Sequence, residues 1–180
     1  MSIISTEEFS RYINAKQTDE QSLILKETIL DSAQNIVEFY LGYPVKRMSI
    51  DEEVHFIQLD TAYLPTDALP ISDLGYVEVD GVEVDVDEFI IYKDMLYYEK
   101  GFKQGQKVKI SYTSGWSSRN LPSIIKLTIM RIGALLWAEQ NGNIGVTSVS
   151  SGMGDSRVFT NYTNYNRYLS EIANYRVLRF

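Results

Sequence analysis

The chain has 180 residues, 44% of them hydrophobic, which suffices for a domain with a real core and excludes wholesale disorder. It contains no cysteine, which excludes disulfide bonds, thiolate nucleophiles and cysteine-ligated metals. The net charge of −7 is unevenly spread, because residues 51–99 hold 14 acidic residues and one basic residue, whereas residues 100–180 hold 3 acidic and 11 basic ones. Either these are solvated faces that happen to cluster, or acidic and basic surfaces of neighbouring copies face each other.

The N-terminal part is predicted to be helical. Residues 5–8 read Ser-Thr-Glu-Glu, the spacing of a capping box, which predicts a short helix over residues 5–15. Residues 18–21 repeat the pattern and open a second helix over residues 19–41, in which apolar residues recur at helical spacing. Gly42 and Pro44 are typical of a helix end.

The middle of the chain changes to a period of two and predicts an antiparallel β meander over residues 53–113. Residues 76–84 predict a hairpin with a type I′ turn at Asp80-Gly81, which places Glu78 opposite Glu83. The two Leu-Pro pairs at residues 64–65 and 69–70 predict a loop. Later strands are expected near residues 89–92, 95–99 and 107–113.

A long helix is predicted over residues 122–141, because Pro122 suits a first helical position and Asn141-Gly142 suits an end. Gly133, inside this helix, indicates close approach of another element. Residues 145–164 have the composition of a loop or arm. A last amphipathic piece is expected over residues 165–178.

This order of parts resembles the head-tail connector family of tailed phages, whose members are also described as head completion or adaptor proteins. The resemblance rests on the sequences Tyr40-Leu41-Gly42-Tyr43-Pro44 and Tyr112-Thr113-Ser114-Gly115-Trp116, followed by Leu121-Pro122, and on the ending Asn174-Tyr175-Arg176. The fold class we expect is α+β: a helical bundle with long N-terminal and central helices, an inserted antiparallel β meander and an extended C-terminal arm. Residues 1–144 would form the connector core, and residues 145–180 a loop and docking arm.

The resemblance implies a structural virion protein in the neck, assembled in the host cytoplasm, with no enzymatic activity and no cofactor. Such an adaptor joins the portal protein to a tail-side neck or tail terminator protein, as one subunit of a ring of about twelve copies. The ring lines the DNA exit channel, and DNA passes through it without specific binding. No membrane contact is expected, since the most apolar stretch is short and interrupted by charges. The alternative within the virion is a stopper or tail completion protein.

Two sets of residues are predicted to make these contacts. The first is a portal-docking arm in which arginines alternate with aromatic residues, a composition typical of protein interfaces: Arg157, Tyr165, Arg167, Tyr168, Tyr175, Arg176, Arg179 and Phe180. The second is an acidic face that lies at a subunit interface or on the channel wall: Glu78, Asp80, Glu83, Asp85 and Asp87. In the meander, the alternation of acids with valines places each acid on the outer face of a strand.

No catalytic or metal-binding residues are assigned. His55, the one histidine, is expected to be an ordinary strand side chain. Residues 114–117 lack the order of a nucleophile elbow, and Gly152-Met153-Gly154 lacks the context of a phosphate loop. Two alternatives remain open: an enzyme with a carboxylate site in the acidic meander, and a nucleic-acid-binding module in the basic C-terminal half.

Overall fold

A computed structural model describes residues 2–15, 20–92, 95–139, 148–150, 156–158 and 165–176. The chain divides into two compact units. The first, the helical unit, comprises residues 1–41 and 121–180, and the second, the sheet unit, comprises residues 42–120.

The helical unit contains four α-helices: α1 at Thr6–Tyr12, α2 at Glu20–Leu41, α3 at Ser123–Ala138 and α4 at Tyr165–Ser170. A short 3-10 helix follows at Ala173–Tyr175. Ser5 caps α1 as the capping box predicts, because its side-chain oxygen accepts a hydrogen bond from the backbone N–H of Glu8. Gly42 follows α2 with φ of 87°, the left-handed geometry expected of a residue that ends a helix.

The core of the helical unit lies between α2 and α3. Its buried side chains repeat every three or four residues along each helix: Leu30, Ala33, Val37 and Leu41 on α2, and Ile125, Ile129 and Ile132 on α3. Gly133 marks the close approach that the sequence predicts, since a Cβ atom at this position would lie 3.0 Å from Cε2 of Phe9. The Lys26 side chain is fully buried in α2, with its Nζ 5.5 Å from the ring centroid of Trp137.

The sheet unit contains seven strands, and two short strands follow in the helical unit. The strands of the sheet unit are β1 at Met48–Phe56, β2 at Thr61–Pro65, β3 at Ile71–Val79, β4 at Val82–Glu83, β5 at Phe89–Tyr92, β6 at Met95–Phe102 and β7 at Lys107–Ser114. The later pair consists of β8 at Ser148–Ser150 and β9 at Ser156–Val158.

The seven strands form two antiparallel sheets. One sheet has the order β1-β7-β3-β4 and the other the order β2-β6-β5, so β7 and β6 each lie between strands that precede them in the chain. The buried side chains share one hydrophobic core, to which both sheets contribute. Its fully buried members include Leu96, Phe102, Val108 and Ile110.

The hairpin between β3 and β4 has the predicted turn. Asp80 and Gly81 have φ values of 52° and 83°, and a type I′ turn requires positive φ at both central positions. Glu78 lies directly opposite Glu83, as expected.

The predicted fold class is wrong. The β part is not a small meander inserted in a helical bundle, because its seven strands form two antiparallel sheets that enclose their own core. The helices are short to medium in length, and residues 165–175 form α4 and the 3-10 helix where an extended arm was expected. The physical reason is that β1, β2 and β3 pair with β6 and β7, which follow them at long range, so that two sheets can close over one core.

Among the residues that the structure describes, no helix is both long enough and apolar enough to cross a membrane.

Candidate functional site

His55 belongs to a buried polar network in the sheet unit. Its Nε2 lies 2.6 Å from Oε1 of Glu53, and the Tyr112 hydroxyl donates a hydrogen bond of 2.5 Å to Oε2 of the same carboxylate. The backbone N–H of Asp67 also donates to Glu53, and the N–H of Ala68 donates to the Tyr112 hydroxyl. The network therefore attaches the loop before β3 to strands β1 and β7.

Hydrogen bonding decides the ionisation of this network. Burial acts to raise the pKa of Glu53, but the hydrogen bonds from His55, Tyr112 and the Asp67 backbone hold the pKa below its ordinary value. Burial and the bond to the Glu53 carboxylate raise the pKa of Tyr112. Glu53 is therefore a charged acceptor that the donors around it stabilise.

Glu78 and Asp80, from the predicted acidic face, have partners within the chain. The Tyr76 hydroxyl donates a 2.9 Å hydrogen bond to Glu78, and Lys109 Nζ lies 3.5 Å from Oε1 of Glu78. These two contacts lower the pKa of the Glu78 carboxyl. Asp80 accepts a hydrogen bond from the backbone N–H of Lys107. The repulsion expected between Glu78 and Glu83 is therefore relieved by a lysine of β7, without a neighbouring copy.

The other three acids, Glu83, Asp85 and Asp87, are close in sequence, at the end of the edge strand β4 and just after it. Asp85 and Asp87 are not on a strand, so their predicted position on a strand face is wrong: β4 ends at Glu83, and a 3-10 helix occupies Val86–Glu88. The chain leaves the ladder there because the Asp85 side chain accepts a hydrogen bond from the backbone N–H of Asp87 and caps this turn. Glu83, Asp85 and Asp87 are exposed, and within the described ranges none of them forms an ion pair.

Metal binding has little support in the part of the chain that the structure describes. There, no group of three or more histidine, aspartate and glutamate side chains is placed to hold a metal ion.

The segment that was compared with a nucleophile elbow is closely packed. Ser114 is fully buried in β7, and Gly115 has a φ of 85° with Lys46 O only 2.6 Å from the position a Cβ would take. The glycines at 152 and 154 lie outside the described residues.

Part of the predicted docking arm packs against α3 within the helical unit. Leu169 and Ile172 are buried, which holds α4 and the turn after it in place. Arg131 of α3 forms an ion pair of 2.7 Å with Glu171, and its guanidinium lies 5.3 Å from the ring centroid of Tyr168. The sequence analysis missed Leu169 and Ile172, although their spacing of three residues is helical.

The remaining predicted arm residues differ in how exposed they are, and two of them lie outside the described residues. Arg167 and Tyr175 are exposed, and Tyr165 is partly buried. Arg157 lies on β9, where the structure describes the backbone alone. Arg179 and Phe180 lie outside the described residues.

A groove of about 450 Å³ lies between α2 and α4 in the helical unit. Ile36, Tyr40 and Leu169 line it, together with Phe39, whose side chain is 91% exposed. Arg176 forms part of the wall, with its guanidinium 5.2 Å from the ring centroid of Tyr40. Sequence patterns did not identify this groove, because its two sides are more than 120 residues apart in the chain.

Sequence comparison identifies the family. A family model described as head completion protein matches residues 2–174, which is nearly the whole chain. The chain belongs to the head completion protein family. No curated protein matches the sequence significantly.

Three solved structures share the fold of this head completion protein at 12% sequence identity. They are the neck of an empty gene transfer agent particle computed with C6 symmetry, with a TM-score of 0.63; the neck of a native particle computed with C12 symmetry, at 0.58; and the virion of a native particle, at 0.54. The similarity covers 99%, 97% and 99% of this chain and 91%, 89% and 91% of the respective neighbours.

The predicted identity is confirmed by the family match. The solved structures that share its fold are parts of neck and virion assemblies of gene transfer agent particles.

Proposed function

We propose that this chain is a non-enzymatic subunit of a ring that joins the portal protein to the tail-side proteins of the neck, and that DNA passes through the ring without specific binding. The observation that carries the proposal is the family match over residues 2–174. Twelve copies is the expected number, and the likeness to a neck computed with C12 symmetry supports it.

The absence of enzymatic activity is supported by the way the candidate groups are used. The carboxylate of Glu53 accepts bonds from Tyr112, His55 and a backbone N–H, and this network anchors a loop. Ser114 lies in a segment that only partly resembles a nucleophile elbow. Its side chain is buried at the end of β7. Among the described residues, Glu53 and His55 therefore belong to a network that holds the fold, and the Ser114 hydroxyl is buried.

The portal contact involves the C-terminal segment. Two exposed residues of this segment, Arg167 and Tyr175, are proposed to meet the portal. Arg179 and Phe180, which lie outside the described residues, belong to the same proposed contact. Arginine and tyrosine are the residue types that most often anchor protein interfaces. The buried Leu169 and Ile172 give this surface a fixed base.

Co-purification with the cognate portal protein tests the proposal. The wild-type chain should bind the portal directly and appear in electron micrographs as a ring on the tail-side face of the portal. Arg167→Glu and a chain truncated after residue 176 should each weaken binding, whereas Arg119→Glu, a change of the same charge on the sheet unit, should not. If the wild-type chain binds a tail-side neck protein and never the portal, the adaptor role is contradicted and the stopper role is supported.

A further inference from the structure

The groove between α2 and α4 exposes apolar surface at its rim. Phe39 is 91% exposed, next to the apolar groove residues Ile36 and Leu169. Soluble proteins seldom leave a large aromatic side chain exposed beside an apolar depression unless another molecule covers it. The groove therefore has the shape and chemistry of a docking surface.

The wall of the groove carries a cation that has no acidic partner among the described residues. Arg176 stacks over Tyr40, and in the described segments no carboxylate lies within ion-pair distance of its guanidinium. A guanidinium that is already oriented by an aromatic ring forms strong paired hydrogen bonds with a carboxylate. The occupant that fits best presents an apolar side chain together with an acid.

The same chain carries a surface of that kind, which we term the acidic ridge: Val82, Glu83, Asp85 and Asp87. Val82 is 66% exposed, and all three acids are exposed. Other acids near it are compensated within the chain, since Lys109 pairs with Glu78 and Lys100 pairs with Glu88 at 2.6 Å. The acids of the ridge therefore keep their charge available for an outside partner.

We propose that the groove of one copy receives the acidic ridge of the next copy in the ring. This inference rests on the ring proposed above and names the surfaces that form it. The groove and the acidic ridge are two different surfaces of the chain, so a contact between them is head-to-tail, the type of contact that gives a closed ring when the rotation between copies closes. Opposite charges on the two surfaces favour this register over others.

Charge reversal tests the proposal. Arg176→Glu and Asp87→Arg, made separately, should each weaken ring formation about tenfold or more, because each places like charges across the contact. The two changes combined in one chain should restore the ring. An equal mixture of the two single variants should also form rings, because the wild-type pair and the reversed pair can alternate around an even number of copies. Native mass spectrometry and electron microscopy measure the assembly, with the portal protein present if wild-type rings require it.

Two control variants separate the named contact from a general effect of charge. Arg119→Glu and Asp73→Arg alter the net charge by the same amounts at exposed positions outside both surfaces, and should assemble like the wild type. Circular dichroism and thermal unfolding confirm that every variant is folded. The inference is overturned if either single variant forms wild-type rings, if neither combination restores assembly, or if the controls lose it equally. If the wild-type chain forms no ring under any of these conditions, the proposed function itself fails.

Discussion

Replacing Tyr112 with phenylalanine should destabilise the sheet unit through hydrogen bonds alone. The ring stays, so packing is kept, but the Glu53 carboxylate loses one donor and the backbone N–H of Ala68 loses its acceptor. Each buried polar group left without a partner costs about 1–3 kcal/mol, and Glu53 retains two other donors, so we expect a loss of about 2–4 kcal/mol. Urea unfolding followed by circular dichroism measures the change in free energy of unfolding at a fixed protein concentration.

A second measurement and a matched control locate this effect. Hydrogen exchange should accelerate in the peptide that contains Ala68, because its amide is released. Tyr63→Phe removes a hydroxyl from a side chain that is 48% exposed, and should change the stability by less than about 0.5 kcal/mol. A loss below about 0.5 kcal/mol for Tyr112→Phe, with unchanged exchange at Ala68, would show that the network does not hold the loop.

Three further predictions concern single groups. Hydrogen bonds hold the pKa of Glu53 below its ordinary value of 4.5. The stability that these bonds add is therefore complete above pH 4.5 and is lost as the pH falls through the lowered pKa of the folded state. Urea unfolding of Glu53→Gln across this pH range should lack that dependence on acid. Gly115→Ala should lower the free energy of unfolding by about 2–4 kcal/mol, because its Cβ would clash with Lys46 O. Gly105→Ala has a similar φ but open space around it, and should cost only about 1–2 kcal/mol. Equal losses for the two variants would contradict the clash. Lys26→Met should raise the thermal midpoint and add about 1–3 kcal/mol, because in the described residues its buried Nζ has no hydrogen-bond acceptor. A destabilised variant would show that the contact of this Nζ with the Trp137 ring outweighs the cost of burying the charge.

Local signals in the sequence predicted local structure well. The capping residue Ser5, the helix-ending Gly42 and the Asp80-Gly81 turn each act within a few residues, and the structure has all three as expected. The close approach at Gly133 was also readable, because a glycine inside a helix needs a reason. These features depend on backbone geometry that the residue type itself restricts.

The long-range strand pairings were not predicted, because they join partners far apart in the chain. The pair Leu64-Pro65 predicts a loop, but Pro65 lies at the end of a strand on the edge of its sheet, where a missing N–H is tolerated. The pairing of β1 with β7 joins residues more than 50 positions apart. A meander is the pattern that sequence order alone suggests, and the two-sheet arrangement required knowledge of which apolar faces close over each other.

The sequence singled out residues of the proposed contact but not the contact itself, because it assigned Arg176 to the portal-docking arm. Sequence analysis selected Arg176 and the acids of residues 83–87 by charge and residue type. It could not show that Arg176 stacks on Tyr40, or that Lys109 compensates Glu78 and leaves only part of the acidic face available. Which charges remain unpaired is a property of the folded chain, because the pairing depends on strand register.

The order of strands constrains when this protein can fold during synthesis. The two middle strands, β6 and β7, are the last of the sheet unit to be made, and both neighbours of each precede it in the chain. A nascent chain that ends before Lys107 has β1 and β3 but lacks the strand that joins them, so β1 has no partner in its sheet and β3 has only the short β4. Folding of this unit must therefore wait for β7 to leave the ribosome, and prematurely terminated chains would expose sheet edges prone to aggregation.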